Sequence, residues 1–242
     1  MDHCFHNQIN IHALPAKPGI FIWYSNIPII INSFFTSGTY HNLRPMVNEI
    51  FKKNDFAISC FSPAEIKTIN SFKALKKQLE WMAGRYLIKQ MIHTFFLTDI
   101  PLEQITLSYQ DHGAPFITSH PDIPISLSHS HEYTAAACSI HPGQTLGIDI
   151  EKIDKKPGPG FLKTAFTQAE IMNMEDDAAQ IFKHWTIKEA YLKYIKQGFN
   201  ESLHKVEVIN NQVFHHQKKT SVDIFSTVIN SEYALSLISN SP

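Results

Sequence analysis

The alternation of apolar and polar positions divides the chain into strands and helices. From Ile148 to Glu151 apolar and acidic residues alternate, the period of a strand with one face buried. Side chains two apart on a strand share a face. Asp149 and Glu151 therefore point one way, and Ile148 and Ile150 point the other, into a core. Asp177 to Lys196 reads as the main helix of the second half, closed by Gly198. On it Glu189 and Lys193 stack on one face, while Trp185, Ile187, Tyr191 and Leu192 supply apolar contact. A second helical pattern runs through Ile66, Ile69, Phe72, Leu75, Leu79, Met82, Tyr86 and Leu87 to about Phe95, with a break at Asn70-Ser71. It opens at Ser62-Pro63-Ala64-Glu65, where Ser caps, Pro takes the first helical position and Glu65 completes a capping box. Thr167-Gln168-Ala169-Glu170 is a second capping box and opens a short helix.

The remaining apolar runs read as strands. Gly19–Tyr24 and Ile29–Phe35, separated by Asn26-Ile27-Pro28, are two of them, and Phe56–Phe61 is a third. Ile105–Tyr109 and Pro115–Thr118 form a hairpin around Asp111-His112-Gly113, and Val206–Ile209 and Val213–His216 form another around Asn210-Asn211. Ile125–Ser128 ends at His129; Tyr133–Ile140, Val222–Ile229 and Tyr233–Ile238 complete the strands. Residues 1–17 show no clear period, and Lys152–Gly160, rich in Pro and Gly, reads as a loop. Strands and a helix follow in similar order in each half, without an obvious sequence repeat. This is an α+β pattern with antiparallel pairing where hairpins are short.

Composition narrows the classes. A chain of 242 residues, 43% hydrophobic and 18% charged, buries a substantial core in one domain or two small lobes. A formal net charge of −1 gives no support for a general nucleic-acid binder. Cys4, Cys60 and Cys138 are odd in number and widely spaced, so neither a disulfide framework nor a CxxC zinc site is indicated. A reducing cytoplasm is the expected compartment, and the N-terminus lacks the features of a signal peptide. Pro18–Leu43 holds no charged residue, but Ser25, Asn26, Pro28, Asn32, Ser33 and Thr36 interrupt it. Buried strands are expected there rather than a membrane span, which needs ~20 predominantly apolar residues.

The two patterned stretches also carry the candidate chemistry. Two carboxylates on a strand and a third on a helix suit a hard divalent cation, and magnesium leaves positions open for substrate phosphates. Lys193, one turn past Glu189, is placed to meet a phosphate as a point charge.

Gly147-Ile148-Asp149-Ile150-Glu151, followed by Trp185-x-x-Lys188-Glu189-Ala190-x-x-Lys193, resembles the signature of the 4′-phosphopantetheinyl transferases. The length resembles their long, two-lobed class, the surfactin- and enterobactin-synthetase-activating type. That class serves carrier proteins of siderophore, peptide, polyketide or fatty-acid synthesis. The resemblance implies two similar lobes related by a pseudo-twofold, each a small, mostly antiparallel sheet packed with a long helix. It places the active site between them, in an expected N-terminal lobe 1–143 and a C-terminal lobe 144–242 with the acidic motifs.

It also implies a reaction: the phosphopantetheine arm of coenzyme A passes to a serine of an apo acyl or peptidyl carrier protein, releasing adenosine 3′,5′-bisphosphate. By the same resemblance Asp149, Glu151 and Glu189 are magnesium ligands, and Glu189 is also the general base, directly or through water. Lys193 contacts phosphate, and Lys188 matches a neighbouring lysine of the motif with a coenzyme A role. Trp185 reads as packing. Ile125-Ser126-Leu127-Ser128-His129-Ser130 resembles the family's Ser-His-Ser element, which makes His129 a ligand for the 3′-phosphate; the alternative is a hydrogen-bonded His at a strand end. A zinc reading of His129 with His131 lacks a third ligand at typical spacing. Ala83-Gly84-Arg85 resembles the family's Gly-Arg helix motif, so Arg85 either reaches coenzyme A phosphate or lies on a solvated helix face.

One departure stands out. Where the family has Gly-Lys-Pro, this chain has Gly113-Ala114-Pro115, so His112, Arg85 or another cation must substitute or coenzyme A binds more weakly. The expected protein is a magnesium-dependent transferase, cytoplasmic and monomeric. The competing readings are a non-catalytic binder of coenzyme A or carrier proteins, and a metal-dependent phosphoester hydrolase with no motif of its own.

Overall fold

The structure, a computed structural model, describes residues 10–34, 47, 51–52 and 54–240. In the first half, strands β1 (Ile11–Pro15) and β2 (Ile20–Asn26) lead into helices α1 (Ile27–Phe34), α2 (Asp55–Cys60), α3 (Pro63–Ser71) and the long α4 (Leu75–Phe95). The hairpin β3 (Leu107–Tyr109) and β4 (Pro115–Ile117) follows, then β5 (Ile125–Ser130) and β6 (Tyr133–Ser139). The second half runs β7 (Leu146–Lys152), α5 (Pro159–Ala165), α6 (Gln168–Asn173), the long α7 (Ala178–Tyr194) and the hairpin β8 (Val206–Ile209) and β9 (Gln212–His215). Short β10 (Lys218–Lys219), β11 (Asp223–Ile229) and β12 (Tyr233–Ser239) close it.

The two halves trace the same path. One sheet has the order β1-β2-β6-β5, the other β11-β12-β7, all antiparallel. Strand, helices, long helix, hairpin and two strands give β2-β6-β5 in the first half and β7-β12-β11 in the second. The fold is α+β, with two similar lobes related by a pseudo-twofold. Strand alternation decides what each lobe buries. Ile20, Ile22, Ala135 and Ala137 meet Leu146, Ile148, Ile150, Leu235 and Leu237 in one core that both sheets share. The opposite face of β6, at Ala136 and Cys138, takes α4 through Leu87, Ile88, Met91 and Ile92. On the outer side of the second sheet, Ile187, Ala190, Tyr191 and Leu192 of α7 pack with Ile238 and with Val206, Val208 and Val213.

A repeat hidden in the sequence appears here. Phe61-Ser62-Pro63-Ala64-Glu65 and Phe166-Thr167-Gln168-Ala169-Glu170 occupy equivalent places, each a capping box that opens a short helix. Each capping glutamate also receives a buried lysine from the long helix of its lobe. Lys89 Nζ lies 2.6 Å from Glu65, and Lys188 Nζ lies 2.7 Å from Glu170. Each ammonium also stands over the preceding Phe ring, at 5.5 Å for Phe61 and 5.2 Å for Phe166. Glu170 is fully committed: it accepts from Thr167 N, Lys188 Nζ and Val208 N.

Three expectations are corrected. Ile29–Phe34 is helix, not strand; Phe35 lies outside the described residues. Ile27, Ile30, Ile31 and Phe34 are the buried face of α1, and an unbroken apolar run does not reveal its period. The overlooked signals were Asn26, whose Oδ1 accepts from Ile29 N, and Pro28 in the first turn. Phe56–Cys60 is helix as well, capped by Asn54 accepting from Ala57 N. Pro159 and Gly160 belong to α5, so only 153–158 stays loop. In addition, β1 pairs along the edge at β2 where no period was legible. Among the described residues no helix is long and apolar enough to cross a membrane.

Removing one partner of a buried ion pair strands the other charge in the interior. Lys188→Met should therefore destabilise the fold by about 3–5 kcal/mol, read as a shift in the urea midpoint. Glu170→Gln combined with Lys188→Met should cost less than the sum of the single changes; strict additivity would show that the pair does not act as a unit.

Candidate active site

The site is built where the edge of the first sheet meets the edge of the second. Ser126, Ser128 and Ser130 alternate along β5 and share a face. That face runs beside β7 and is joined to it by hydroxyls. Ser126 Oγ accepts from Ile148 N at 3.0 Å, and Ser128 Oγ donates to Asp149 Oδ1 at 2.8 Å. Ser130 Oγ donates to Glu151 Oε2 at 2.6 Å and accepts from Lys152 N at 3.3 Å.

Helix α7 covers this seam, and Gly147 lets it come close. A Cβ at Gly147 would fall inside the van der Waals envelope of the Ala190 carbonyl oxygen and the Tyr194 backbone nitrogen. With the backbones touching, Lys193 reaches across to donate to Asp149 Oδ1 at 2.7 Å and Ser128 Oγ at 2.8 Å. Trp185 packs with Phe161 and Phe166.

Asp149, expected to face the surface, is only 3% exposed, and Glu189 is 8% exposed. Asp149 Oδ2 and Glu189 Oε1 are buried without a hydrogen-bond partner among the described residues. An unpaired buried carboxylate oxygen is costly. Glu189 responds by holding its proton up to about 7, first because of burial and then because of the neighbouring Asp149 charge, against the opposing pull of Lys193. Glu151 is raised by the same two causes, opposed by its bond from Ser130. Three crowded carboxylates, two of them with unsatisfied oxygens, fit a hard divalent cation bound through oxygen.

Beside Lys193 a cavity of about 310 Å³ opens between the β3–β4 turn, β5 and the end of α7. His112, Ala114, Ile125, Leu127, Lys193 and Lys196 are among its walls. His129 points away from the serine face, as the strand period requires. Its Nδ1 lies 3.9 Å from Glu80, in a surface hollow shared with Lys76, Lys77 and Trp81.

Two sequence candidates are not brought to the carboxylates. Lys188 has no exposed side chain and is spent on Glu170, so its expected contact with coenzyme A gives way to a structural one. Arg85 is not solvated: it is 3% exposed, donates from Nη2 to the Tyr109 hydroxyl at 2.7 Å and lies over the Trp81 and Tyr109 rings, while its Nε and Nη1 are buried without a hydrogen-bond partner among the described residues. Conversely, Ser128 and Ser130 emerge as partners of the acids. Their legible signal was the every-second-residue serine pattern on β5.

Two family models match the chain. The 4′-phosphopantetheinyl transferase superfamily covers residues 145–238, and the 4′-phosphopantetheinyl transferase N-terminal family covers residues 48–141. Similar proteins include the L-aminoadipate-semialdehyde dehydrogenase-phosphopantetheinyl transferase of Xenopus laevis, 29% identical over 61% of this chain and 53% of that protein. The 4′-phosphopantetheinyl transferase gsp of Aneurinibacillus migulanus is 28% identical over 73% of each. The 4′-phosphopantetheinyl transferase of Bacillus subtilis is 31% identical over 43% of this chain and 47% of that one. The chain thus spans about half the length of the Xenopus laevis and Bacillus subtilis relatives.

The Glu189 shift has a sign that can be measured. From its ordinary 4.5 up to about 7, the folded protein keeps a proton that the unfolded chain has released. The folded state binds more protons in that window, so stability falls as pH rises through it. Thermal melts in chelator should show this decline, and Glu189→Gln should flatten it. An equal decline in both proteins would place the titrating group elsewhere.

Proposed function

The chain belongs to the 4′-phosphopantetheinyl transferase superfamily, and we propose that it transfers the 4′-phosphopantetheine arm of coenzyme A to a serine of an apo acyl or peptidyl carrier protein. The observation that carries this reading is the pair of buried, unpartnered oxygens, Asp149 Oδ2 and Glu189 Oε1, beside Lys193 at the mouth of a cavity. We take 1–143 and 144–242 as its two lobes. Buried, free Cys60 and Cys138 accord with a reducing cytoplasm, and a monomer is the working state.

In this reading Asp149, Glu151 and Glu189 would hold a magnesium ion, which when bound supplies positive charge to the pyrophosphate. The protein's own groups do the rest. A cation held by Glu189 would pull it down from the value of about 7 it has in the metal-free site, and the ionised carboxylate takes the proton of the carrier serine, directly or through water. The serine oxygen bonds to the β-phosphorus as the bond to the bridging oxygen breaks. Adenosine 3′,5′-bisphosphate leaves with that electron pair. Lys193, held on Asp149 and Ser128, presents its ammonium to phosphate. Lys76 and Lys77 line the hollow at His129 together with Glu80 and offer positive charge to an anionic group at the far side of β5, where burial favours the neutral form of His129.

The cavity also suggests how the missing lysine is replaced. Ala114 shares its wall with His112 and with Lys196, and we assign the substitute charge to Lys196. A charge-assisted contact of this kind contributes about 1–3 kcal/mol.

The test is mass spectrometry of an apo carrier protein incubated with the protein, coenzyme A and magnesium. A carrier shifted by one phosphopantetheine supports transfer. Coenzyme A binding with no shift across a carrier panel would favour a non-catalytic binder. Glu189→Gln should lower kcat by ~10²-fold or more, the usual share of a general base, with a much smaller effect on coenzyme A affinity. Wild-type turnover in that variant would remove Glu189 from the chemistry.

Lys196→Ala should raise KM for coenzyme A by about tenfold, and Ala114→Lys should restore it. No change in either variant would show that the nucleotide phosphates are held elsewhere.

A further inference from the structure

A second cluster of ligating groups lies outside this site, on the outer side of the second lobe. Among the described residues, Glu201, His215 and His216 are a set whose ligand atoms all lie within 4.8 Å of one another. Glu201 Oε2 is 3.1 Å from His215 Nε2 and 3.4 Å from His216 Nε2. Two ligands of a tetrahedral zinc, each about 2.0–2.1 Å from the metal, lie about 3.3–3.4 Å apart. The two spacings from Glu201 are close to edges of that tetrahedron, and the histidine nitrogens lie within 4.8 Å of each other.

The groups are also oriented. The other carboxylate oxygen, Oε1, accepts from Ser202 N at 2.9 Å and lies 3.3 Å from Lys205 Nζ, which leaves Oε2 to the imidazoles. His215 Nδ1 lies 3.2 Å from the Tyr191 hydroxyl, the outer contact that fixes the ring of a metal-bound histidine. His216 is carried on the tight turn after β9, where His216 and Gln217 both have positive φ. Its side chain is 55% exposed, so the cluster is open to an arriving ion.

We propose that Glu201, His215 and His216 form a binding site for a late first-row divalent cation, zinc by preference, with a fourth position left for water. Two imidazoles and one carboxylate favour zinc over magnesium, which seeks oxygen ligands. On binding, His215 keeps one ring proton by moving it to Nδ1, where the Tyr191 oxygen accepts it. The site would tie the segment after α7 to the β9–β10 turn. That segment contributes Gly198 to the cavity wall and joins the β3–β4 turn through Asn200 Nδ2 and His112 Nδ1, 3.1 Å apart. The inference does not depend on the transferase reading.

The test uses the full-length, untagged protein, stripped with chelator and titrated with cobalt(II). We expect one equivalent to give the intense visible absorption of a tetrahedral site, displaced by zinc and unaffected by excess magnesium. His216→Ala, a change at a half-exposed side chain, should weaken cobalt binding at least tenfold, and Glu201→Gln should do the same. Zinc should raise the melting temperature of the wild type and not of His216→Ala. A cobalt spectrum that is absent, unchanged in both variants, or abolished by magnesium would overturn the proposal.

Discussion

The contact between the backbone of β7 at Gly147 and that of α7 at Ala190 and Tyr194 underlies everything that happens at this site. A helix normally stands off a sheet by the length of its side chains. Here one missing Cβ lets the two backbones touch. Only at that separation does Lys193 span from helix to strand and share Asp149 with Ser128. The same approach brings the carboxylate of Glu189 into the field of Asp149 and Glu151. The helix is anchored nearby by Thr186, whose hydroxyl meets Ser236 of β12 at 2.8 Å.

The site also depends on how each lobe positions its long helix. Both lobes use a capping glutamate on a short helix to receive a buried lysine from the long one. A buried ion pair contributes little net stability, because desolvation offsets most of the attraction. Its effect here is on register: Lys188 accepts one place, on Glu170, and its neighbour Glu189 is thereby turned toward β7. Adjacent charged residues on one helix thus divide the work, one fixing the helix and one facing the acids of β7.

Electrostatically the centre is under-neutralised. Among the described residues, Asp149, Glu151 and Glu189 face the cation Lys193, with support from the hydroxyls of Ser128 and Ser130. The protein relieves the excess by keeping a proton on Glu189 up to near neutrality. A bound cation would relieve it in another way, as the proposed metal site requires.

The sequence by itself determined the local elements and the identity of the acids. Alternation placed Asp149 and Glu151 on one face of β7, helical spacing placed Glu189 and Lys193 on one face of α7, and two capping boxes marked helix starts where they occur. These features rest on periodicity and backbone hydrogen bonding within a few residues. Tertiary structure decided the rest. Ile27–Phe34 and Phe56–Cys60 carry local helix signals at Asn26, Pro28 and Asn54, but the face each one buries is settled by what it packs against. Lys188 and Lys193, five residues apart on one helix, differ in role because only one of them faces β7. Arg85 is spent on aromatic rings, and the serines of β5 become partners of the acids only because two sheet edges meet there. The Arg85–Tyr109, Ser128–Asp149 and Ser130–Glu151 contacts join residues 24, 21 and 21 positions apart and Lys188–Glu170 joins residues 18 apart, and no local pattern records which distant group will be waiting.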